Sequence, residues 1–122
     1  MQEMRLAKME ALFADLVWAN APMSTKDLVK LCDKELDWRR TTTYTVLRKL
    51  CDRGIFDMSH AHVSVLLTKE QFHAIQSEQI VEKNFQGSLP AFIAAFATRQ
   101  PLSQKDLDEI RELIDSMDVT EK

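Results

Sequence analysis

Three successive stretches of helical spacing, two short extended runs after a glycine, and three more helical stretches predict a mainly α fold with a small β-hairpin. The first stretch, roughly Arg5 to Ala19, repeats Leu6, Met9, Leu12, Phe13, Leu16 and Val17 at helical intervals and stops at Asn20, Ala21 and Pro22. Ser24 opens a second helix with Asp27 three residues on, a capping-box arrangement, and Leu28, Leu31 and Cys32 make its buried stripe. Asp37 and Trp38 separate it from a third helix, about Arg40 to Arg53, whose inward residues are Thr43, Val46, Leu47 and Leu50 and whose end is capped by Gly54. The period then changes. Ile55 to Asp57 and Val63 to Leu67 read as extended runs around a polar tip, Met58-Ser59-His60-Ala61-His62. Three helices followed by a hairpin is the order of a winged helix-turn-helix, in which the third helix is offered to a DNA major groove.

Thr68 begins a fourth helix with Gln71 placed for a capping box, followed by Phe72, Ile75, Ile80 and Val81. Gln86-Gly87-Ser88 interrupts the chain before a short apolar helix carrying Leu89, Phe92, Ile93, Phe96 and Ala97. Pro101 breaks it again, and Ser103 caps a last helix with the stripe Leu107, Ile110, Leu113, Ile114 and Met117. About fifty residues with narrow stripes bury too little to stand alone, so this tail is expected to form a dimer interface. The expected organisation is a winged-helix DNA-binding domain at residues 1–68 and a helical dimerisation domain at 69–122, the contacts centred on Phe92, Ile93, Phe96, Leu107, Ile110, Leu113, Ile114 and Met117.

Bulk composition narrows the function classes. At 122 residues, with 45% hydrophobic and 29% charged residues, the chain has the make-up of an ordinary globular protein. Two glycines and three prolines leave little room for disorder or loop-rich architecture. No apolar run is long enough to enter a membrane, and the opening MQEMRLAKME has no signal core, so a cytoplasmic protein is expected. Cys32 and Cys51 sit in amphipathic helical segments, where a free cysteine acts as a small hydrophobe in a reducing compartment. No CxxC, HExxH, catalytic triad or glycine-rich phosphate loop is present, so neither a metal, a cofactor nor an enzymatic role is expected.

The net charge of −3 hides an uneven distribution. Residues 1–67 carry ten Lys/Arg against nine Asp/Glu, whereas residues 68–122 carry six against ten. Between Trp38 and Arg53 the cations Arg39, Arg40, Arg48, Lys49 and Arg53 face a single acid, Asp52. A local basic stripe contacts phosphates even on an acidic chain.

The third helix carries the functional argument. At 3.6 residues per turn, Thr41, Thr42, Tyr44, Thr45 and Arg48 point away from the Thr43/Leu47/Leu50 stripe. Arg reads two guanine acceptors together, Thr meets a base edge or a thymine methyl, and hydroxyls bind phosphate oxygens. The alternative is a solvated helix face, but threonine is a mediocre helix former, and several on one face need another reason. The DNA-binding set is therefore Arg39, Arg40, Thr41, Thr42, Tyr44, Thr45, Arg48 and Lys49, with Lys49 and Arg53 read as phosphate contacts or as simple exposed charges. Trp38, just before this helix, is expected to plug the core rather than stack on a base.

Other features have plainer readings. His60 and His62 offer two ligands, fewer than a zinc site needs, and read as a polar turn. The acids Asp106, Asp108 and Glu109 lie in the first turns of the last helix, where the macrodipole favours them.

These motifs resemble the penicillinase-repressor (BlaI/MecI/CopY) family over about 110 residues. Asp37-Trp38, Thr42, Thr45, Lys49-Leu50 and Arg53-Gly54-Ile55 match the family's recognition-helix pattern, Glu10 to Trp18 its first helix, and Leu102-Ser103 through Leu113 its dimerisation helix. The resemblance implies a homodimeric repressor on a palindromic operator upstream of a resistance or stress gene. In one branch a membrane sensor protease triggers cleavage in the fifth helix, and the matching bond here is Ala95–Phe96, with Ala95 where the family has Asn. The copper-sensing branch needs a C-terminal cysteine cluster, and no Cys follows residue 51. Tyr44 stands where resistance repressors carry Arg, which implies a different operator sequence. The wing lacks Lys and Arg between Arg53 and Lys69, and each phosphate left without a cation lowers the salt slope by about one. These last features, with the acidic total charge, also suit a second reading: a winged-helix protein–protein module without DNA affinity.

Overall fold

The computed structural model describes residues 2–117. Its elements run α1 (Lys8–Asn20), β1 (Met23–Ser24), α2 (Thr25–Leu36), α3 (Arg40–Asp52), β2 (Phe56–Ser59), β3 (His62–Val65), α4 (Lys69–Phe85), α5 (Leu89–Arg99) and α6 (Gln104–Ser116). This is a winged helix followed by helices, as the element order of the sequence predicts. Two compact units divide the chain after Ile80.

The first unit encloses the core. Phe13, Ala14 and Val17 of α1 meet Leu28 and Cys32 of α2, Leu47 and Leu50 of α3, and Ile55, Phe56 and Val63 from the wing. Phe72 of α4 closes this core, and Met4 joins it from the segment before α1. The α1 stripe is narrower than its spacing suggests: Met9 and Leu12 are exposed, and Ala14 takes the buried position. Leu31, expected in the α2 stripe, is only half-buried.

Local signals fix the ends of the helices. The Ser24 hydroxyl accepts from the Asp27 amide at 3.0 Å, opening α2. At α4 the capping box is complete: Gln71 N–H donates to the Thr68 hydroxyl, and Thr68 N–H donates to the Gln71 side chain. The end of α3 is a Schellman motif, with Gly54 N–H donating to Cys51 O and Ile55 N–H to Leu50 O. Gly54 sits at φ +78, which a residue with a Cβ rarely adopts.

The wing differs from expectation in two ways. Its strands run further toward the tip, leaving only His60 and Ala61 between Ser59 and His62, both at positive φ. Two such residues make the type of turn that matches strand twist, although neither is the usual Asn or Gly. A third strand also joins. Met23 and Ser24 pair antiparallel with Val63 and His62, so β3 lies between β1 and β2. Thr25 N–H then donates to Ala61 O at 2.9 Å, tying the wing tip to the start of α2.

In the second unit, Ser88 caps α5 through the Ala91 amide and Ser103 caps α6 through the Asp106 amide. Neither helix has a fully buried residue.

Candidate nucleic-acid interface

The third helix is amphipathic in a specific sense: one face is locked into the core and the other is left to solvent. Thr43, Leu47 and Leu50 are buried, while Arg39, Arg40, Thr41, Thr42, Thr45, Arg48 and Lys49 are exposed. The Thr43 hydroxyl donates to Arg39 O at 3.1 Å, so the buried polar group is satisfied inside its own helix. Burial on one side fixes the rotation of α3, and thereby which residues a groove would meet.

Trp38 sets the start of that helix. Its ring stacks on Phe13 with centroids 5.6 Å apart and planes 15° apart. The indole is a half-buried core contact between the α2–α3 link and α1, as its sequence position suggests. Arg39, the N-cap of α3, makes no side-chain capping bond, and no acid lies in the first turn. The positive end of the helix dipole therefore has no carboxylate from the helix's own first turn.

Arg40, Thr41, Tyr44, Thr45 and Arg48 line one open groove on the outer face. Within it the Arg40 and Arg48 guanidinium carbons lie 5.4 and 5.7 Å from the Tyr44 ring centroid. Thr45 donates its hydroxyl proton to Thr41 O at 2.8 Å, leaving the oxygen as an acceptor and the methyl as an apolar contact. Thr42 is exposed outside this groove.

The remaining cations are tied down to different degrees. Lys49 pairs with Glu10 at 3.3 Å yet stays 65% exposed. Arg53 is largely buried: its guanidinium donates to the carbonyls of Glu3 and Arg5 and lies 4.0 Å from Glu10. It is thus a strap across the N-terminal segment, and neither the phosphate-contact nor the exposed-charge reading describes it. Charge alone could not reveal this, because the acceptors are backbone atoms some fifty residues away.

The Glu10 carboxyl is held below its ordinary value, first by the hydrogen bond from Ala7 N–H and then by Lys49 and Arg53, with burial opposing them. Burial pushes both thiols up; the Thr43 hydrogen bond opposes this at Cys32, whereas Asp57 and Asp52 add to it at Cys51. Both cysteines are free, and the upward shift favours the thiol over the thiolate. At the wing tip His62 Nδ1 lies 3.1 Å from His60 O. No group of three metal-ligating side chains occurs among the described residues.

The residues assigned to dimerisation divide by exposure. Phe92 is half-buried between Phe85 at 5.4 Å and Phe96 at 6.5 Å, and Ile93, Leu107 and Ile110 are half-buried too. Phe96, Leu113, Ile114 and Met117 are each at least half exposed. The Ala95–Phe96 bond lies within α5, both residues exposed, and Ala95 O accepts from the Thr98 hydroxyl at 2.7 Å. No described helix is long and apolar enough to cross a membrane.

The penicillinase repressor family matches residues 6–116. The methicillin resistance regulatory protein MecI of Staphylococcus aureus (strain Mu50) is 19% identical over 106 residues, covering 84% of this chain and 86% of that protein. The same regulator from Mammaliicoccus sciuri is 19% identical over 104 residues, 82% of this chain and 85% of its own. The match takes in the wing, the groove-lined third helix and the helices that follow. The chain belongs to the penicillinase repressor family, whose members are DNA-binding transcriptional repressors rather than enzymes.

Proposed function

We propose that the chain acts as a homodimer that represses a resistance or stress-response gene by binding a palindromic operator through α3. The observation that carries this reading is the groove of Arg40, Thr41, Tyr44, Thr45 and Arg48 on a helix whose other face is buried. A two-fold dimer sets two such helices into major grooves one helical turn apart, or a multiple of that. Residues 1–68 supply the DNA-binding domain and 69–122 the dimerisation domain, with Phe96, Leu113, Ile114 and Met117 as apolar surface for the partner copy. Relatives named for methicillin resistance support the choice of a resistance gene. Where a membrane sensor protease ends repression, the bond it cuts is Ala95–Phe96, and α5 must unwind locally to admit it. The site of action is the cytoplasm.

Binding to DNA from the protein's own upstream region, measured over a salt series with light scattering, tests the reading. Tight, salt-sensitive binding by a dimer is the expected result. A dimer that ignores DNA even at low salt would instead favour the protein–protein module, a reading motivated by a wing tip of His60 and Ala61 without Lys or Arg.

A further inference from the structure

Tyr44 is only half-buried on a helix face where its neighbours are exposed, and what covers it is charge. Arg40 lies one turn before it and Arg48 one turn after, and each guanidinium sits within 6 Å of the ring centroid, the range of a cation–π contact. An unsupported arginine on a helix surface samples many rotamers, and fixing it costs conformational entropy. Contact with the ring reduces that freedom before any ligand arrives. A cation–π contact engages the guanidinium's charge without requiring a hydrogen bond from its N–H donors, which are the groups that bond guanine O6 and N7.

Spacing limits the pair's reach. The two guanidinium carbons are no more than about 11 Å apart, given their distances to the shared ring. At about 3.4 Å per base step this is roughly three steps at most. We infer that Tyr44 is a positioning residue that holds Arg40 and Arg48 as a paired set, reading two guanines no more than about three base pairs apart in each half-site. This rests on the repressor reading above and adds to it a base preference and the residue that sets it.

Selecting duplexes from a random-sequence pool with the wild-type protein gives the first test. The selected half-sites are expected to share two guanines within that distance of each other. Affinities are then measured for wild type, Tyr44→Phe and Tyr44→Leu on the selected duplex and on versions with either G·C pair changed to A·T. Wild type and Tyr44→Phe should lose about tenfold for each change. Tyr44→Leu should lose most of that discrimination while keeping its melting temperature. Half-sites lacking the guanine pair, or full discrimination by Tyr44→Leu, would overturn the inference. So would an equal loss by Tyr44→Leu on every duplex, since that marks phosphate contacts. If wild type binds no duplex at low salt, the repressor reading itself fails, and this inference with it.

Discussion

Lys49 Nζ lies 3.3 Å from Glu10 Oε2, so a cation on α3 is held by an acid of α1. The pair leaves Lys49 mostly solvent-exposed, within reach of a phosphate, yet partly neutralised. Replacing Glu10 by Gln removes the competing charge. The expected outcome is tighter DNA binding and a salt slope steeper by up to about one, measured by anisotropy over a potassium chloride series. An unchanged slope would place Lys49 outside the interface.

The same carboxylate makes stability depend on acid. Its pKa lies below the ordinary 4.5 because Ala7 N–H, Lys49 and Arg53 favour the charged form against burial. A depressed folded-state pKa means the stabilisation is fully present above the unfolded value and is lost as pH falls through the folded one. Urea midpoints taken from neutral pH down to about pH 3 should fall less steeply for Glu10→Gln than for wild type. Parallel curves would show that Glu10 contributes nothing to the acid limb.

Arg53 is expected to matter for folding and not for DNA. Its guanidinium bridges the Glu3 and Arg5 carbonyls, while Gln79 bonds Gln2 O and accepts from Met4 N–H, so the N-terminal segment is stitched to both α3 and α4. Arg53→Ala should cost about 2 kcal/mol in urea unfolding, as expected for removing hydrogen bonds from a charged, mostly buried donor. Arg53→Lys should recover only part, because an ammonium lacks the planar fork. The salt slope of DNA binding should stay at the wild-type value; a drop of about one would return Arg53 to the phosphate contacts.

Much of this was legible because the signals are local. The Thr68/Gln71 box, the Ser24 and Ser103 caps and the Gly54 terminator each depend on residues within one turn, and the structure realises all of them. The outward set on α3 follows from helical period once Thr43, Leu47 and Leu50 are recognised as its core stripe. What was hidden is long-range. Met23 and Ser24 form a strand only because β3 passes beside them, and two residues give no periodicity to read. Met9 and Leu12 keep helical spacing yet lie outside the core, since spacing gives direction and not the width of the covering surface. The short wing turn was obscured by His60 and Ala61 occupying positions where Asn and Gly are the usual signal.

That turn supplies a stability prediction. Ala61 sits at φ +60, where its Cβ is strained, and its carbonyl accepts from Thr25 N–H. Ala61→Gly keeps the carbonyl and removes the strain, against some added freedom in the unfolded chain. A gain of about 0.5–1 kcal/mol in thermal or urea unfolding is expected. A decrease would mean that the Ala61 methyl makes a contact worth more than the strain.

The dimer reading is most exposed at α6. Leu113 and Ile114 are 56% and 58% exposed on a helix otherwise rich in acids, an apolar stretch that water alone would not favour. A glutamate at the centre of such an interface must be desolvated without a partner, whereas on a free surface it costs almost nothing. Ile114→Glu should therefore leave the melting profile of the winged helix intact, convert the protein to a monomer in light scattering, and weaken operator binding by about a hundredfold or more, because two linked half-site contacts become one. Retention of the dimer would move the interface off this face. A monomer that still binds the full operator at wild-type affinity would show that one recognition helix suffices, and would remove the need for a palindrome.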